Sequence, residues 1–286
     1  MHFADYKTIL SPKNGMNIYH GCTHGCIYCD SRSSCYQMNH TFEDIEIKRN
    51  APEILENQLK KRRKPAMIGT GSMTDPYIHL ESKIQYTRKC LEVIERHGFG
   101  VAILTKSDRV LRDLDLLTKI NNKTKCVVQM TLTTFDEGLC RIIEPNVSTT
   151  AKRFEALKIL RDAGIPTVVW LGPFLPYIND DVDNLKGILD YCVDAGVKGI
   201  VCFGFGVTMR EGNREYFYEQ LNKFFPGLKE KYIQEFGNQY QCGSSNHQNL
   251  NEILKLTCEK HGILRTEETF AYLQEFESKF GQMSLF

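Results

Sequence analysis

Gly21-Cys22-Thr23-His24-Gly25-Cys26-Ile27-Tyr28-Cys29-Asp30 carries three cysteines in the spacing C-x3-C-x2-C, and the rest of the 286-residue chain is organised around it. Thiols this close along one loop cannot all bond to one another, so a disulfide framework explains them poorly. Spacing alone implies a three-thiolate metal site. A [4Fe–4S] cubane normally takes four cysteines, and three would leave one iron open to something other than protein. A structural zinc site needs a fourth ligand nearby, and His20, His24 and Cys35 are candidates. Both metals stay open at this point.

With the aromatic Tyr28 before the last cysteine, the loop resembles the signature of the radical S-adenosylmethionine (SAM) enzymes. The wider stretch Asn17-Ile18-Tyr19-His20-Gly21-Cys22-Thr23-His24-Gly25-Cys26-Ile27-Tyr28-Cys29 is similar to one branch of them, the spore photoproduct lyase-like proteins. The resemblance implies that Cys22, Cys26 and Cys29 hold one [4Fe–4S] cluster whose open iron chelates the amine and carboxylate of SAM. It implies reductive cleavage of SAM to methionine and a 5′-deoxyadenosyl radical that abstracts hydrogen from a substrate. A reduced flavodoxin- or ferredoxin-type electron donor and sensitivity to oxygen come with that chemistry.

The remaining composition narrows the setting. Lysine plus arginine (36) nearly balance aspartate plus glutamate (35), so no global field favours nucleic acid or an anionic membrane. The basic run Lys60-Lys61-Arg62-Arg63-Lys64 could touch phosphates, but it reads as the solvated last turn of a helix. No basic-then-apolar leader and no apolar run of membrane-spanning length is present. Eight of the eleven cysteines are scattered, several in apolar runs, as buried thiols of a reducing compartment are. The expected location is the cytoplasm.

Along the chain, short apolar runs alternate with helical periodicity. Strands are expected at Met16 to Tyr19, Ala66 to Gly69, Val101 to Leu104, Cys126 to Leu132, Pro166 to Leu171 and Val197 to Phe203. Helices are expected at Pro52 to Arg63, Ser82 to His97, Asp108 to Lys119, Thr150 to Ala163 and Asp180 to Ala195. The strands are apolar without alternation, as in a parallel sheet covered on its outside. This is an α/β pattern, which by itself does not separate a doubly wound sheet from a barrel. The family resemblance implies a partial (β/α)6 barrel of the TIM type over residues 1–205. Residues 206–286 read as a helical C-terminal extension that closes it, with helices at Asn213 to Phe225, Leu228 to Phe236, Asn246 to His261 and Glu267 to Phe280.

In such folds the loops after the strands share one face, where sites gather. Gly69-Thr70-Gly71, after the second strand, allows close backbone approach and resembles the segment that receives the SAM amino group. By the same resemblance Thr74 lies near the methionyl group, and Lys106 faces the SAM carboxylate. Thr133, or Thr131 beside it, offers a hydroxyl after the fourth strand, and Tyr28 sits near the adenine through its backbone. Glu144-Pro145 resembles a Glu-Pro segment of the branch and also reads as a turn. Ser72 departs from the branch, because the photoproduct lyases have a hydrogen-donating cysteine at the aligned position. Cys35 could be a spare ligand, a hydrogen-atom donor or an inert thiol. The resemblance therefore carries a radical SAM enzyme of unknown substrate. Spore photoproduct lyase-type DNA repair is one alternative, and a metal-binding protein without turnover is another.

Overall fold

The computed structural model describes residues 1–279. Its central sheet has six strands: β1 (Gly15–Met16), β2 (Met67–Thr70), β3 (Gly100–Thr105), β4 (Cys126–Leu132), β5 (Thr167–Leu171) and β6 (Gly199–Val201). They lie side by side in chain order, and every neighbouring pair is parallel. Parallel neighbours need a crossover. The crossovers carry α1 (Ala51–Lys60), α2 (Tyr86–Arg96), α3 (Leu114–Lys123), α4 (Thr150–Asp162) and α5 (Val182–Asp194). Because crossovers are right-handed, an order that never reverses puts every helix on the same face. A doubly wound sheet would reverse its strand order at a switch point. The fold is the expected partial (β/α)6 barrel.

The pleat of β4 shows how the barrel is filled. Cys126, Val128, Met130 and Leu132 face outward into the main core with Leu157, Leu160 and Leu185. Val127 faces inward with Met67, Ala102, Val168 and Val201. Two residues further along each step on the same side come Gln129 and Thr131, so the interior turns from apolar to polar toward the C-terminal ends of the strands. The apolar end is plugged from the C-terminal segment, whose Leu273 packs into the inward cluster. That residue belongs to the last helix, α9 (Thr266–Gln274), which follows α6 (Asn213–Phe224), α7 (Leu228–Phe236) and α8 (His247–His261). Leu264 bridges to Gly199 of β6, and a Cβ at Gly199 would stand 2.4 Å from the Thr269 hydroxyl. Only glycine lets α9 come this close.

Several elements differ from the sequence expectation. The strand expected from Met16 to Tyr19 is two pieces in two sheets. Gly15–Met16 pairs with β2, whereas Tyr19–His20 pairs antiparallel with Glu46–Lys48, whose other edge carries His2–Ala4. One strand cannot serve partners on different sheets, so the chain bends between them. The helix expected over Ser82 to His97 breaks at Gln85, whose φ is 55°, into a short turn Glu81–Ile84 and α2. The segment expected to be helical from Asp108 opens as a 3-10 turn, Asp108–Asp113, before α3. A short helix, Glu137–Ile143, and an antiparallel pair, Gly206–Thr208 with Gln241–Gly243, were not expected. The last helix ends at Gln274, and Phe280, its expected end, lies outside the described residues. No helix among the described residues is long and apolar enough to cross a membrane.

Candidate cofactor site at the barrel mouth

The cysteine loop is fixed from two sides. Gly21, at φ +84°, presses against the chain at Phe42, where a Cβ would meet the Phe42 carbonyl oxygen at 2.5 Å. The next residue, Cys22, donates its backbone N–H to that oxygen at 2.9 Å. On the other side Ile27 donates to the Ile143 carbonyl at 3.0 Å, and the Asn146 N–H and side chain donate to the His24 and Thr23 carbonyls. The loop is thus a strap across the C-terminal end of the barrel, tied to the connection after β4.

All three thiols are free; Cys22 and Cys26 are buried and Cys29 is partly so. Burial pushes the Cys22 thiol up to about 12 and raises Cys26 and Cys29 as well. Without a cation these sulfurs stay protonated, and a metal centre is what makes buried thiolates stable. Among the described residues, the thiols form no group with ligand atoms within 4.8 Å of one another, with or without His20, His24 or Cys35. A single tetrahedral ion, with sulfur at about 2.3 Å, would draw them closer than that. Of the alternative fourth ligands, His20 Nδ1 lies 3.0 Å from Glu46, His24 Nδ1 3.5 Å from Asp75, and the Cys35 sulfur 3.2 Å from Arg210.

Above the thiols opens a cavity of about 470 Å³, lined on one side by Tyr28, Cys29, Gly71, Ser72, Lys106 and Thr131. Gly71 has φ +96°, and a Cβ there would lie 1.9 Å from the Leu104 carbonyl oxygen, so only glycine lets the loop after β2 run this close to β3. The Lys106 ammonium stands 5.9 Å from the Tyr28 ring centre. Its backbone is held by the buried Asp75, which accepts from the Lys106 and Tyr77 N–H groups and from the Thr105 hydroxyl. Asp75 therefore locks the loop after β2 to the loop after β3.

The Tyr28 hydroxyl reaches into a buried polar knot. Its hydroxyl donates to Glu144 and lies 3.2 Å from the Thr133 hydroxyl. Glu144 is paired with Arg153 at 2.5 Å, both side chains being fully buried. Arg153 also donates to the Thr131 carbonyl at 2.6 Å. Burial alone would push the Glu144 carboxyl up. Arg153, Lys106 and the hydrogen bonds it accepts outweigh that and hold it below the usual carboxylate range.

The cavity thus gathers Tyr28, Cys29, Gly71 and Lys106 of the expected residues. Cys22 and Cys26 sit within the strap and do not line the cavity, and three more residues lie apart from it. Thr133 sits behind Tyr28 with its hydroxyl donating to Glu144, and Thr131 lines the cavity in its place. Thr74 lines a smaller cavity on the N-terminal side. Gly69 lies within β2, with open space where a Cβ would be. Asp75 and Arg153 were not singled out from the sequence. The facing wall was missed too: Trp170, Phe203, Phe205, Gln241, Cys242 and His247.

The radical SAM superfamily profile matches residues 16–186. An uncharacterised protein of Mycobacterium tuberculosis is 28% identical over 225 residues, covering 76% of this chain and 65% of the relative. Another from Methanocaldococcus jannaschii is 33% identical over 174 residues, 60% of this chain and 64% of that one. The chain thus matches just under two thirds of the length of each. Among solved structures, spore photoproduct lyase complexed with a dinucleoside spore photoproduct gives a TM-score of 0.62 at 13% identity, over 87% of this chain and 74% of that chain. This last likeness is one of fold.

Proposed function

Because the chain belongs to the radical SAM superfamily, whose enzymes use a [4Fe–4S] cluster and SAM, we propose that it is a radical SAM enzyme with Cys22, Cys26 and Cys29 as the cluster ligands. The observation that carries the reading is one arrangement: two buried thiols and a partly buried one on a strap at the polar end of the barrel, the partly buried Cys29 lining a cavity together with Gly71 and Lys106. The residues fit the cofactors. The three-cysteine donor set leaves one iron of a cubane open, and Gly71 and Lys106 line the cavity beside Cys29.

When bound, these cofactors supply a carbon-centred radical that abstracts hydrogen from the substrate. The chain's own residues hold and orient them. Lys106 offers the charge-assisted hydrogen bond for the SAM carboxylate. Gly71 offers its backbone to the methionyl end, and Tyr28 offers its backbone to the adenine while its ring is anchored on Glu144. Thr131 is the hydroxyl that faces the cavity, and Thr133 positions Tyr28 from behind. Thr74 and Gly69, expected beside SAM, would act only through the loop that carries Gly71.

Residues 206–286 are assigned as an extension that closes the open edge of the barrel, a role supported by the contact of α9 with β6. The electron comes from an external reductant, for which a reduced flavodoxin- or ferredoxin-type protein in the cytoplasm is the assignment. The facing wall sets Trp170, Phe203 and Phe205 beside Gln241, Cys242 and His247, and Phe203 is 75% exposed. Reversal of thymine photoproducts is disfavoured by Ser72, which lines the cavity where a thiol would be needed.

Anaerobic incubation with SAM and a low-potential reductant tests the proposal. It should yield 5′-deoxyadenosine, and Cys29→Ala should abolish the yield. Stoichiometric zinc with no SAM cleavage would contradict it, and multiple-turnover recovery of thymine from spore photoproduct would overturn the view of Ser72.

A further inference from the structure

The small three-stranded sheet beside the cysteine loop carries a second constellation. Its register sets His2 opposite Glu46 on one side and His20 opposite Glu46 on the other, so the three residues form a row across the strands. His40, from the connection that follows the cysteine loop, lies against this row with its ring perpendicular to that of His2, 5.0 Å between centres. One ligand atom each from His2, His40 and Glu46 come within 4.8 Å of one another, the one such group among the described residues.

The hydrogen bonds around these residues leave one ligand atom on each available. His2 Nδ1 lies 3.0 Å from the Asp44 carboxylate, which accepts its proton and leaves the Nε2 lone pair free. His40 Nδ1 lies 3.0 Å from the Thr41 carbonyl; a carbonyl oxygen only accepts, so that nitrogen carries the hydrogen and Nε2 is again free. Glu46 Oε1 accepts from the Tyr6 hydroxyl at 2.5 Å and lies 3.0 Å from His20 Nδ1, which leaves Oε2. This is how metal-ligating histidines and carboxylates are oriented, through the atom that does not touch the ion. His2 Nε2 and Glu46 Oε2 are 3.5 Å apart. Two ligands on a tetrahedral ion at about 2.0–2.2 Å stand roughly 3.4 Å from each other.

We propose that His2, His40 and Glu46 bind one divalent transition-metal ion of the zinc class, at a site distinct from the three thiols. Two nitrogens and one carboxylate oxygen make three protein ligands. The fourth position faces a cavity of about 270 Å³, lined by Tyr6, His20, His40, Glu46 and Thr74, with room for water or an exchangeable ligand. The ion would fasten the His2–Ala4 strand to the connection after the cysteine loop. The site needs no cluster, so this inference does not rest on the proposed enzymatic function.

Calorimetric titration of Zn²⁺ into cluster-loaded protein with an untagged N-terminus tests it, because the thiols are then occupied. One equivalent should bind, and His2→Ala and His40→Ala should each weaken binding at least about tenfold, as loss of even an orienting partner does. Both histidines are partly exposed, so these replacements leave the core intact, as unchanged circular dichroism and iron content would verify. The Cys22→Ala/Cys26→Ala/Cys29→Ala variant should also retain one equivalent of Zn²⁺. No uptake by the loaded protein, uptake indifferent to both histidines, or uptake that disappears with the cysteines would each overturn the site.

Discussion

Replacing Arg153 by leucine removes the cation paired with the fully buried Glu144 carboxylate. Arg153 donates to Glu144, to the Thr131 carbonyl and to the Cys140 sulfur, and no part of either charged side chain reaches solvent. The variant leaves Glu144 charged with the Tyr28 and Thr133 hydroxyls and the weakly donating Cys140 thiol, or forces it to take up a proton. Breaking a buried pair on one side costs about 3–5 kcal/mol. At about 2–4 °C per kcal/mol for a chain near this size, the melting temperature should fall by about 6–20 °C. Removing both charges in Arg153→Leu/Glu144→Leu takes away the uncompensated carboxylate. The Tyr28 and Thr133 hydroxyls, 3.2 Å apart, keep one another as partners and Thr133 keeps the Gly172 carbonyl, so what remains is smaller than the cost of an uncompensated buried charge. The double variant should therefore melt above the single one. Thermal unfolding of the cluster-free proteins, followed by circular dichroism, gives both numbers. A loss below about 1 kcal/mol for Arg153→Leu, or a double variant less stable than the single, would refute the knot as the support of Tyr28.

Lys106→Ala should weaken SAM binding about ten- to a hundredfold, the loss of one charge-assisted hydrogen bond of about 1.5–3 kcal/mol, with iron content unchanged; equilibrium binding to the loaded protein measures it. Gly71→Ala places a Cβ on the Leu104 carbonyl at a φ that alanine resists, and should lower both the melting temperature and SAM affinity, whereas Gly69→Ala, with open space around it, should do neither to the same degree. Glu144 has a depressed carboxyl in the folded chain, so its contribution is complete above the unfolded value near 4.3 and is lost as pH falls through the folded value. The stability gap between wild type and Glu144→Gln, from urea unfolding of cluster-free protein, should hold steady above about pH 5 and shrink below about pH 4.

The barrel was legible because its strands are short apolar runs without alternation, separated by helical stretches, and Cys126 to Leu132 has the same bounds in the structure. What escaped depends on partners far away in sequence. Tyr19–His20 is only two residues long, and its sheet is decided by Glu46–Lys48. Arg153 lies in α4 among Lys152, Lys158 and Arg161, and nothing local separates a buried arginine from solvated ones. Glu144 could be picked out as part of a Glu-Pro turn, but not as the acceptor of the tyrosine in the cysteine loop. Thr131 and Thr133 share one parity of the pleat, yet β4 ends at Leu132, and the turn beyond it swings Thr133 toward Glu144. His2, His20, His40 and Glu46 meet only through the register of a sheet that the sequence pattern did not announce.

The central claim is that the three thiols of the strap hold an iron–sulfur cubane with one iron open to SAM. Anaerobic reconstitution followed by iron and sulfide analysis, with electron paramagnetic resonance of the reduced protein before and after adding SAM, tests it most directly. About four irons and four sulfides per chain are expected. The signal should change on SAM addition, and the iron should be lost in Cys22→Ala, Cys26→Ala and Cys29→Ala alike. Zinc at those cysteines in place of iron, or a cluster whose signal ignores SAM, would contradict it.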